Sequence, residues 1–397
     1  MEKFNNNQEH NTRRRFIQNS AIVGAGIMLA GASSLFGESR SAKNEFKNTQ
    51  SKGYAARDAS GKLSPWTFER RTLGDNDVLI EIKYCGVCHS DIHQLRGDWG
   101  PQQYPQIPGH EITGIVAATG KNVKKFKVGD QAGVGTMVDS CMVCNSCKQG
   151  EEQHCDNNAT LFTYGYPDKA SPTGITQGGY SNNIVVKEHF ALKIPKTISL
   201  QDAASLLCAG ITTYSPLIKA SVKKGNRVGV AGIGGLGHLA IKLAASRGAE
   251  VYGFTTTPGK VKDILAFGAK EAVVVDSLEK LSKYNKSLDY MISTIPVKFD
   301  VGAYASMVKP YGNFTQVGMP VEFQLTVNNL ALAASRVNYN GSLVGGIPQT
   351  QELIDYCAQN KILPQIQVIK AYEINEIWEK VINKEARYRY VIDTATI

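Results

Sequence analysis

Four cysteines within fifteen residues, Cys141, Cys144, Cys147 and Cys155, constrain this chain more than any other feature. Gaps of two residues let one turn aim successive sulfurs at a single centre, and four thiolates complete the closed tetrahedral arrangement of a structural zinc. Disulfides, the alternative use of these thiols, would be strained between such near neighbours. The segment 141–155 holds few apolar anchors and is expected to need the metal to keep its shape. Zinc-finger peptides gain about 10–16 kcal/mol from their metal at neutral pH, which sets the scale.

A second set of metal-type side chains is dispersed. It comprises Cys88-His89-Ser90-Asp91-Ile92-His93, then Gly109-His110-Glu111, then Cys208-Ala209-Gly210. One Cys, one His and a further Cys from distant segments make a catalytic zinc set that leaves a fourth position open. Each is weak alone, a lone buried cysteine such as Cys208 being ordinarily a small core residue. Their order and their company with the four-cysteine lobe make them specific. Cys85 forms Cys-x2-Cys with Cys88 and reads as a redox partner or as core, Cys357 reads as core, and His154, His189 and His238 receive no metal role.

Downstream, Gly225–Ala231 reads as a strand running into Gly232-Ile233-Gly234-Gly235-Leu236-Gly237, followed by an apolar helical stretch from His238 to Ala245. Strand, Gly-x-Gly-x-x-Gly and helix form the dinucleotide fingerprint in its required context. The glycines allow the tight turn and close backbone approach, and the helix N-terminus takes the pyrophosphate. The next strand, Ala249–Phe254, ends in Thr255-Thr256-Thr257-Pro258-Gly259-Lys260. An NAD enzyme places an acid there for the ribose 2′-hydroxyl. Here no acid repels a 2′-phosphate, Thr255 and Thr256 offer hydroxyls and Lys260 offers charge, so NADP(H) is expected. Further strands are expected at Ala272–Asp276, Asp289–Ser293 and Gly312–Val317, with Gly341–Gly346 the last. The alternation predicts an α/β fold with a doubly wound parallel sheet over residues 210–345. Residues 53–209 read as short β segments with many turns, and 346–397 should return to them.

The N-terminus reads as an address. Thr12-Arg13-Arg14-Arg15-Phe16-Ile17 and the weakly apolar stretch from Ala21 to Phe36 look like a twin-arginine export signal, with Ala30-Gly31-Ala32 as a cleavage site. An uncleaved anchor or a basic arm is the alternative. The expectation is a signal over 1–32, a linker over 33–52, use of the twin-arginine export machinery and a periplasmic mature protein. Beyond the N-terminus no run of eighteen apolar residues occurs, so the body should not span a membrane. Of the net charge of +9, residues 1–32 hold four basic and two acidic side chains; the about +7 that remains is scattered, without a basic stripe or interleaved aromatics, which argues against nucleic acid and for an anionic small molecule.

Several runs carry a resemblance: Cys-Gly-Val-Cys-His-Ser-Asp at 85–91, Pro-Gly-His-Glu at 108–111, Val-Gly-Asp at 128–130, Gln-Gly-Gly-Tyr at 177–180, Leu-Cys-Ala-Gly-Ile-Thr at 207–212 and Arg-Tyr-Arg-Tyr-Val-Ile-Asp at 387–393. Over roughly 53–397 the chain resembles the zinc-dependent medium-chain alcohol dehydrogenases, most closely the cinnamyl alcohol dehydrogenase-like branch of NADP-dependent aldehyde reductases. The resemblance implies a GroES-like catalytic domain over 53–209, two zinc ions per chain, and an active site in the cleft beside the nucleotide domain. It gives Cys88, His110 and Cys208 as ligands of the catalytic zinc and Glu111 as an alternate ligand. The metal would act as a Lewis acid toward an aldehyde oxygen. Ser90 is implied as a hydrogen-bond partner of the substrate oxygen and His93 as the outer end of a proton relay, a surface His being the alternative. His89 resembles a position near the cofactor pyrophosphate. Asp91 reads either as support for a ligand His or as a turn cap. Trp99 corresponds to a pocket-lining position suited to a flat or apolar aldehyde, a packed core Trp being the alternative. A homodimer contacting through the edge near 341–347 is implied as well. The competing class is an exported binding protein that kept this fold and holds zinc or nucleotide without turnover. The intact set Cys88, Ser90, His93, His110 and Cys208 argues against it.

Overall fold

The computed structural model describes residues 48–397. The expected export signal and the expected linker up to residue 47 lie outside the described residues. The chain is already in a strand at Thr49–Ala56, paired antiparallel with Leu63–Arg70. Regular structure therefore begins inside the stretch that reads as linker. The residues turned inward there at every second position are Ser51, Gly53 and Ala55, all small. Ser51 also donates from its hydroxyl to Asn182 Oδ1 at 3.0 Å. A strand that packs through small residues leaves no hydrophobic signal in the sequence.

The expected parallel sheet is present, and with it the α/β class. Its six strands lie side by side in the order Glu271–Val274, Glu250–Thr255, Arg227–Ala231, Leu288–Ser293, Val308–Gln316 and Asn338–Gly341. All five pairings are parallel. Helices cross between strands, as Gly237–Ser246 does between the first two in sequence. Arg227–Ala231 and Leu288–Ser293 are central and almost wholly buried, which is why they read as near-continuous apolar runs. Strand order reverses between these two, and in such sheets ligands bind outside the carboxyl ends at that point.

The final strand differs from expectation. It is Asn338–Gly341, not Gly341–Gly346. The more apolar Leu343-Val344 leaves the sheet, with Val344 buried at a left-handed φ of 42° on the way into the helix Ile347–Asn360. Polar side chains hold the edge instead: Thr315 Oγ1 donates to Asn340 Oδ1 at 2.8 Å, and Asn338 Nδ2 to the Tyr311 carbonyl at 3.1 Å. Hydrophobicity points to the wrong residues because this edge strand has little to bury.

The second sheet has seven strands. Ile366–Lys370, Arg389–Asp393, Asp77–Gly86, Ile112–Thr119, Gln131–Val134 and Ala191–Lys193 follow one another, and Asn183–Lys187 pairs Asp77–Gly86 separately. Val391 sits opposite Gly86, so the end of the chain lies beside the strand that leads to Cys88. One hydrophobic cluster runs from this sheet to one face of the parallel sheet, and a smaller one, with Tyr252, Phe254, Met291 and Phe314, packs the other face. Among the described residues no helix is long and apolar enough to cross a membrane.

Candidate active site and metal centres

The four-cysteine segment folds as a compact lobe. Cys144 precedes a single helical turn, Asn145–Lys148, and its Sγ accepts from the backbone N–H groups of Cys147 and Asp156 at 3.4 Å each. The four sulfurs lie within 4.8 Å of one another. Cys141 and Cys147 are 3.8 Å apart, and Cys144 and Cys155 3.9 Å. A tetrahedron of sulfurs about 2.3 Å from a zinc has edges of about 3.8 Å, so the donor set fits the metal. No disulfide forms among the described residues. Backbone N–H groups of Val143 and Cys144 hold the Cys141 thiol down at about 6. Burial pushes Cys147 up to about 12, a proton that metal binding must displace.

One lobe residue with no role in the sequence reading fastens it to the body. Glu152 is fully buried. Its carboxylate accepts from His189 Nε2 at 2.7 Å and from the Ile347 N–H at 3.0 Å. Nothing in the local sequence marks Glu152, since its partners lie far along the chain.

The dispersed set converges. Cys88, His110, Glu111 and Cys208 are all buried and offer ligand atoms within 4.8 Å of one another. Cys88 caps the helix His89–Arg96, and Cys208 sits just before Ala209–Lys219. Both sulfurs thus come from helix starts, while His110 and Glu111 lead into the strand Ile112–Thr119. A hydrogen bond from Cys208 holds the Cys88 thiol well below its usual range, while the same contact and burial push Cys208 up. A divalent cation held between the two sulfurs would displace the proton that remains on Cys208.

Asp91 serves both of the uses left open by the sequence. Its Oδ2 accepts from the Cys88 N–H at 3.0 Å, which caps the helix. Its Oδ1 lies 3.1 Å from His110 Nδ1, which turns the other ring nitrogen toward the centre. The Gly109 N–H and the Tyr180 hydroxyl also donate to it, at 3.1 and 3.0 Å. Burial alone would lower the His110 pKa, but the Asp91 charge overcomes it and holds it well above the ordinary value.

Arg389 is the main residue that sequence reasoning missed. It lies within the run at 387–393, and nothing in the sequence assigns it a role. Its guanidinium donates to Glu111 Oε1, with both side chains buried. Burial raises the Glu111 carboxyl to about 7 despite that partner. Glu111 Oε2 has no hydrogen-bond partner among the described residues and lies against Gly86, where an added Cβ would meet it. A Cβ added at Gly235 would stand 2.8 Å from Arg389 Cδ. Arg389 therefore spans from the metal centre to the glycine loop. An Arg opening an otherwise apolar strand is the available signal, because a guanidinium buried there needs acceptors from elsewhere in the fold.

The loop itself has the expected form. Gly232 has φ +79°, and a Cβ on Gly237 would lie 2.2 Å from the Gly232 carbonyl oxygen, so only glycine fits. An added Cβ on Gly234 meets nothing, leaving the backbone open to a ligand. Leu236 precedes the helix Gly237–Ser246, whose N-terminus faces that opening. The turn after the second strand is less simple. Thr255 is buried and its Oγ1 accepts from the Thr257 N–H at 3.1 Å, while Thr256 is exposed. Lys260 is buried with Nζ donating to the Ile233 carbonyl at 2.7 Å.

Ser90 Oγ lies 3.5 Å from Cys88 Sγ. His93 Nδ1 pairs with Asp98 Oδ2 at 2.7 Å. The rings of His89 and His93 stack at 4.5 Å, Trp99 follows 5.2 Å from His93, and Phe323 follows 5.9 Å from Trp99. Burial, followed by the His93 charge, lowers the His89 pKa. Trp99 is only half-buried and borders exposed Phe323, so it is not an interior core residue.

Comparison with known proteins places this geometry. The alcohol dehydrogenase GroES-like domain model matches residues 74–196, and the zinc-binding dehydrogenase model matches 235–359. NADP-dependent alcohol dehydrogenase C 1 of Mycolicibacterium smegmatis is 43% identical over 344 residues, 87% of this chain and 98% of that protein. Aldehyde reductase YahK of Escherichia coli is 43% identical over 348 residues, 87% and 99% of the two chains. Among solved structures, CAD from Helicobacter pylori complexed with NADP(H) superposes with a TM-score of 0.83 at 41% identity, covering 88% of this chain and 99% of that one. The chain belongs to the zinc-binding alcohol dehydrogenase family with a GroES-like domain.

Proposed function

We propose that the protein is a zinc- and NADP(H)-dependent alcohol dehydrogenase, working as a reductase of aromatic or apolar aldehydes. The observation that carries this reading is Arg389, whose side chain runs from Glu111 at the candidate metal centre to Gly235 in the glycine loop, which sets the two sites side by side. Cys88, His110 and Cys208 would hold the metal, with Glu111 as exchange ligand. A bound zinc supplies a Lewis acid toward the carbonyl oxygen, and the dinucleotide supplies the hydride. Ser90, beside Cys88, is placed to hydrogen-bond the substrate oxygen. His93, held by Asp98 and 13% exposed, takes the proton between the site and solvent. Trp99 forms an aromatic wall for the substrate. Gly232, Gly234, Gly235, Leu236 and Gly237 receive the pyrophosphate beside His89, and the turn from Thr255 to Lys260 receives the 2′-phosphate.

The twin-arginine stretch supports export to the periplasm in the folded state, with the cofactor travelling bound. The edge strand Asn338–Gly341 supports a homodimer. Consumption of NADPH and NADH with a panel of aromatic aldehydes, beside Cys88→Ser, tests the enzyme. The expected result is turnover with NADPH that Cys88→Ser abolishes. No turnover with either nucleotide, despite two bound zinc ions per chain, would favour the binding protein instead.

A further inference from the structure

The residues nominated by sequence for the 2′-phosphate are partly committed elsewhere. Thr255 is turned into its own backbone, and the Lys260 ammonium is held by the Ile233 carbonyl. That leaves the exposed turn Thr256–Gly259 with little charge of its own. A cation arrives from the far end of the chain. Arg387 lies two residues before Arg389, and its guanidinium Nη2 comes 3.5 Å from where a Cβ on Gly259 would stand. Its Nη1 is out of solvent and has no hydrogen-bond acceptor among the described residues. The nearest carboxylate oxygen, on Asp263, is 3.8 Å away, beyond hydrogen-bond reach, and accepts from the Tyr388 hydroxyl at 2.8 Å. Lys384 adds further charge, and burial and then Arg387 pull the Lys260 pKa below its ordinary value. The turn is thus flanked by a guanidinium whose Nη1 is unspent and by no acid that claims it fully.

We propose that Arg387 is the residue that selects the 2′-phosphorylated cofactor, its planar fork taking two phosphate oxygens while Thr256 donates its hydroxyl to a third. A guanidinium matches a phosphate bidentately, which a lysine ammonium does not, so the discrimination rests on Arg387 more than on Lys260. The inference rests on the NADP(H) reading above and deepens it. It also gives the two arginines of one short segment separate tasks: Arg389 holds the metal-site carboxylate, and Arg387 reads the ribose.

The test is binding, free of turnover. The zinc-loaded full chain is titrated calorimetrically with 2′-phospho-ADP-ribose and with ADP-ribose, as wild type, Arg387→Gln and Arg387→Lys, with melting temperatures measured alongside. Arg387→Gln should bind 2′-phospho-ADP-ribose about 10- to 100-fold more weakly and ADP-ribose within about twofold of wild type. Arg387→Lys should fall between, and it carries the comparison if the glutamine variant melts early. Equal weakening of both ligands, or no change in either, overturns the proposal and leaves the NADP(H) reading standing. Wild type that binds ADP-ribose as tightly as its 2′-phosphate overturns both.

Discussion

The two metal centres have the same number of candidate ligands inside the same 4.8 Å, yet they are built in opposite ways. In the lobe, all four candidate ligands come from fifteen consecutive residues with two short helical turns between them, and two of the cysteines are only half-buried. At the second centre, Cys88, His110 with Glu111, and Cys208 come from three separated segments, all buried, and all but Cys208 are held by other side chains. Asp91 fixes Cys88 and His110, Tyr180 fixes Asp91, and Arg389 fixes Glu111. In the lobe the metal makes the structure. At the active site the structure makes the metal site, which leaves it free to keep a position open for chemistry.

The sharpest way to break this comparison is to remove one sulfur from each centre. Cys144→Ser should unfold the lobe and cost a large part of the roughly 10–16 kcal/mol that such a site draws from zinc, read as a collapse of melting temperature and a protein that no longer folds at 37 °C. Cys88→Ser should leave the melting temperature within a few degrees while kcat falls by at least about 10³-fold and bound zinc drops to one per chain. Similar melting in both variants would refute the division of labour. Next in size is Arg389→Gln, which strands a buried carboxylate. Breaking such a pair costs about 3–5 kcal/mol, so chemical denaturation should show that loss, with the lobe zinc retained. Asp91→Asn keeps the shape but weakens the hold on His110. About 10- to 100-fold weaker zinc binding is expected at one site only, measured by competition with a chelator.

The smallest effect concerns a buried histidine at neither centre. His238, under the glycine loop, is pulled down to about 3 by burial, and its Nε2 accepts from the Gln365 N–H at 3.2 Å. Between about pH 6.5 and 3 the unfolded chain therefore binds a proton that the folded chain refuses. Stability should fall as pH drops through that window, by about 1 kcal/mol from pH 6 to pH 5, and His238→Gln should flatten this slope. An unchanged slope would show that His238 is not the group responsible.

How legible each region was follows from the same contrast. The lobe could be read directly because all its ligands are sequence neighbours. The glycine loop was legible because Gly232 and Gly237 each meet a requirement of the local backbone. The second metal set could be assembled only by adding weak signals, and the groups that hold it in place were largely invisible. Arg389 and Glu152 look like ordinary charged residues until their partners, Glu111 in one case and His189 with the Ile347 N–H in the other, are brought to them. Lys260 shows the reverse. Its charge at the turn was plain in the sequence, but its hydrogen bond to Ile233 was not. The edge strand at Asn338–Gly341 and the strand at Thr49–Ala56 escaped for lack of apolar residues.

By itself, then, the sequence determined the α/β class and pointed to the two groups of side chains that converge as candidate metal centres and to the glycine loop. These depend on spacing and on backbone constraints that act over a few residues. Tertiary structure alone decided that Arg389 meets Glu111 while Lys260 meets a backbone carbonyl, which arm of Asp91 does which task, and that Arg387 comes to the turn at Gly259. Those outcomes depend on which distant strands lie side by side. The pairing of Arg389–Asp393 with Asp77–Gly86 is set by the packing of the whole sheet, and no local pattern encodes it.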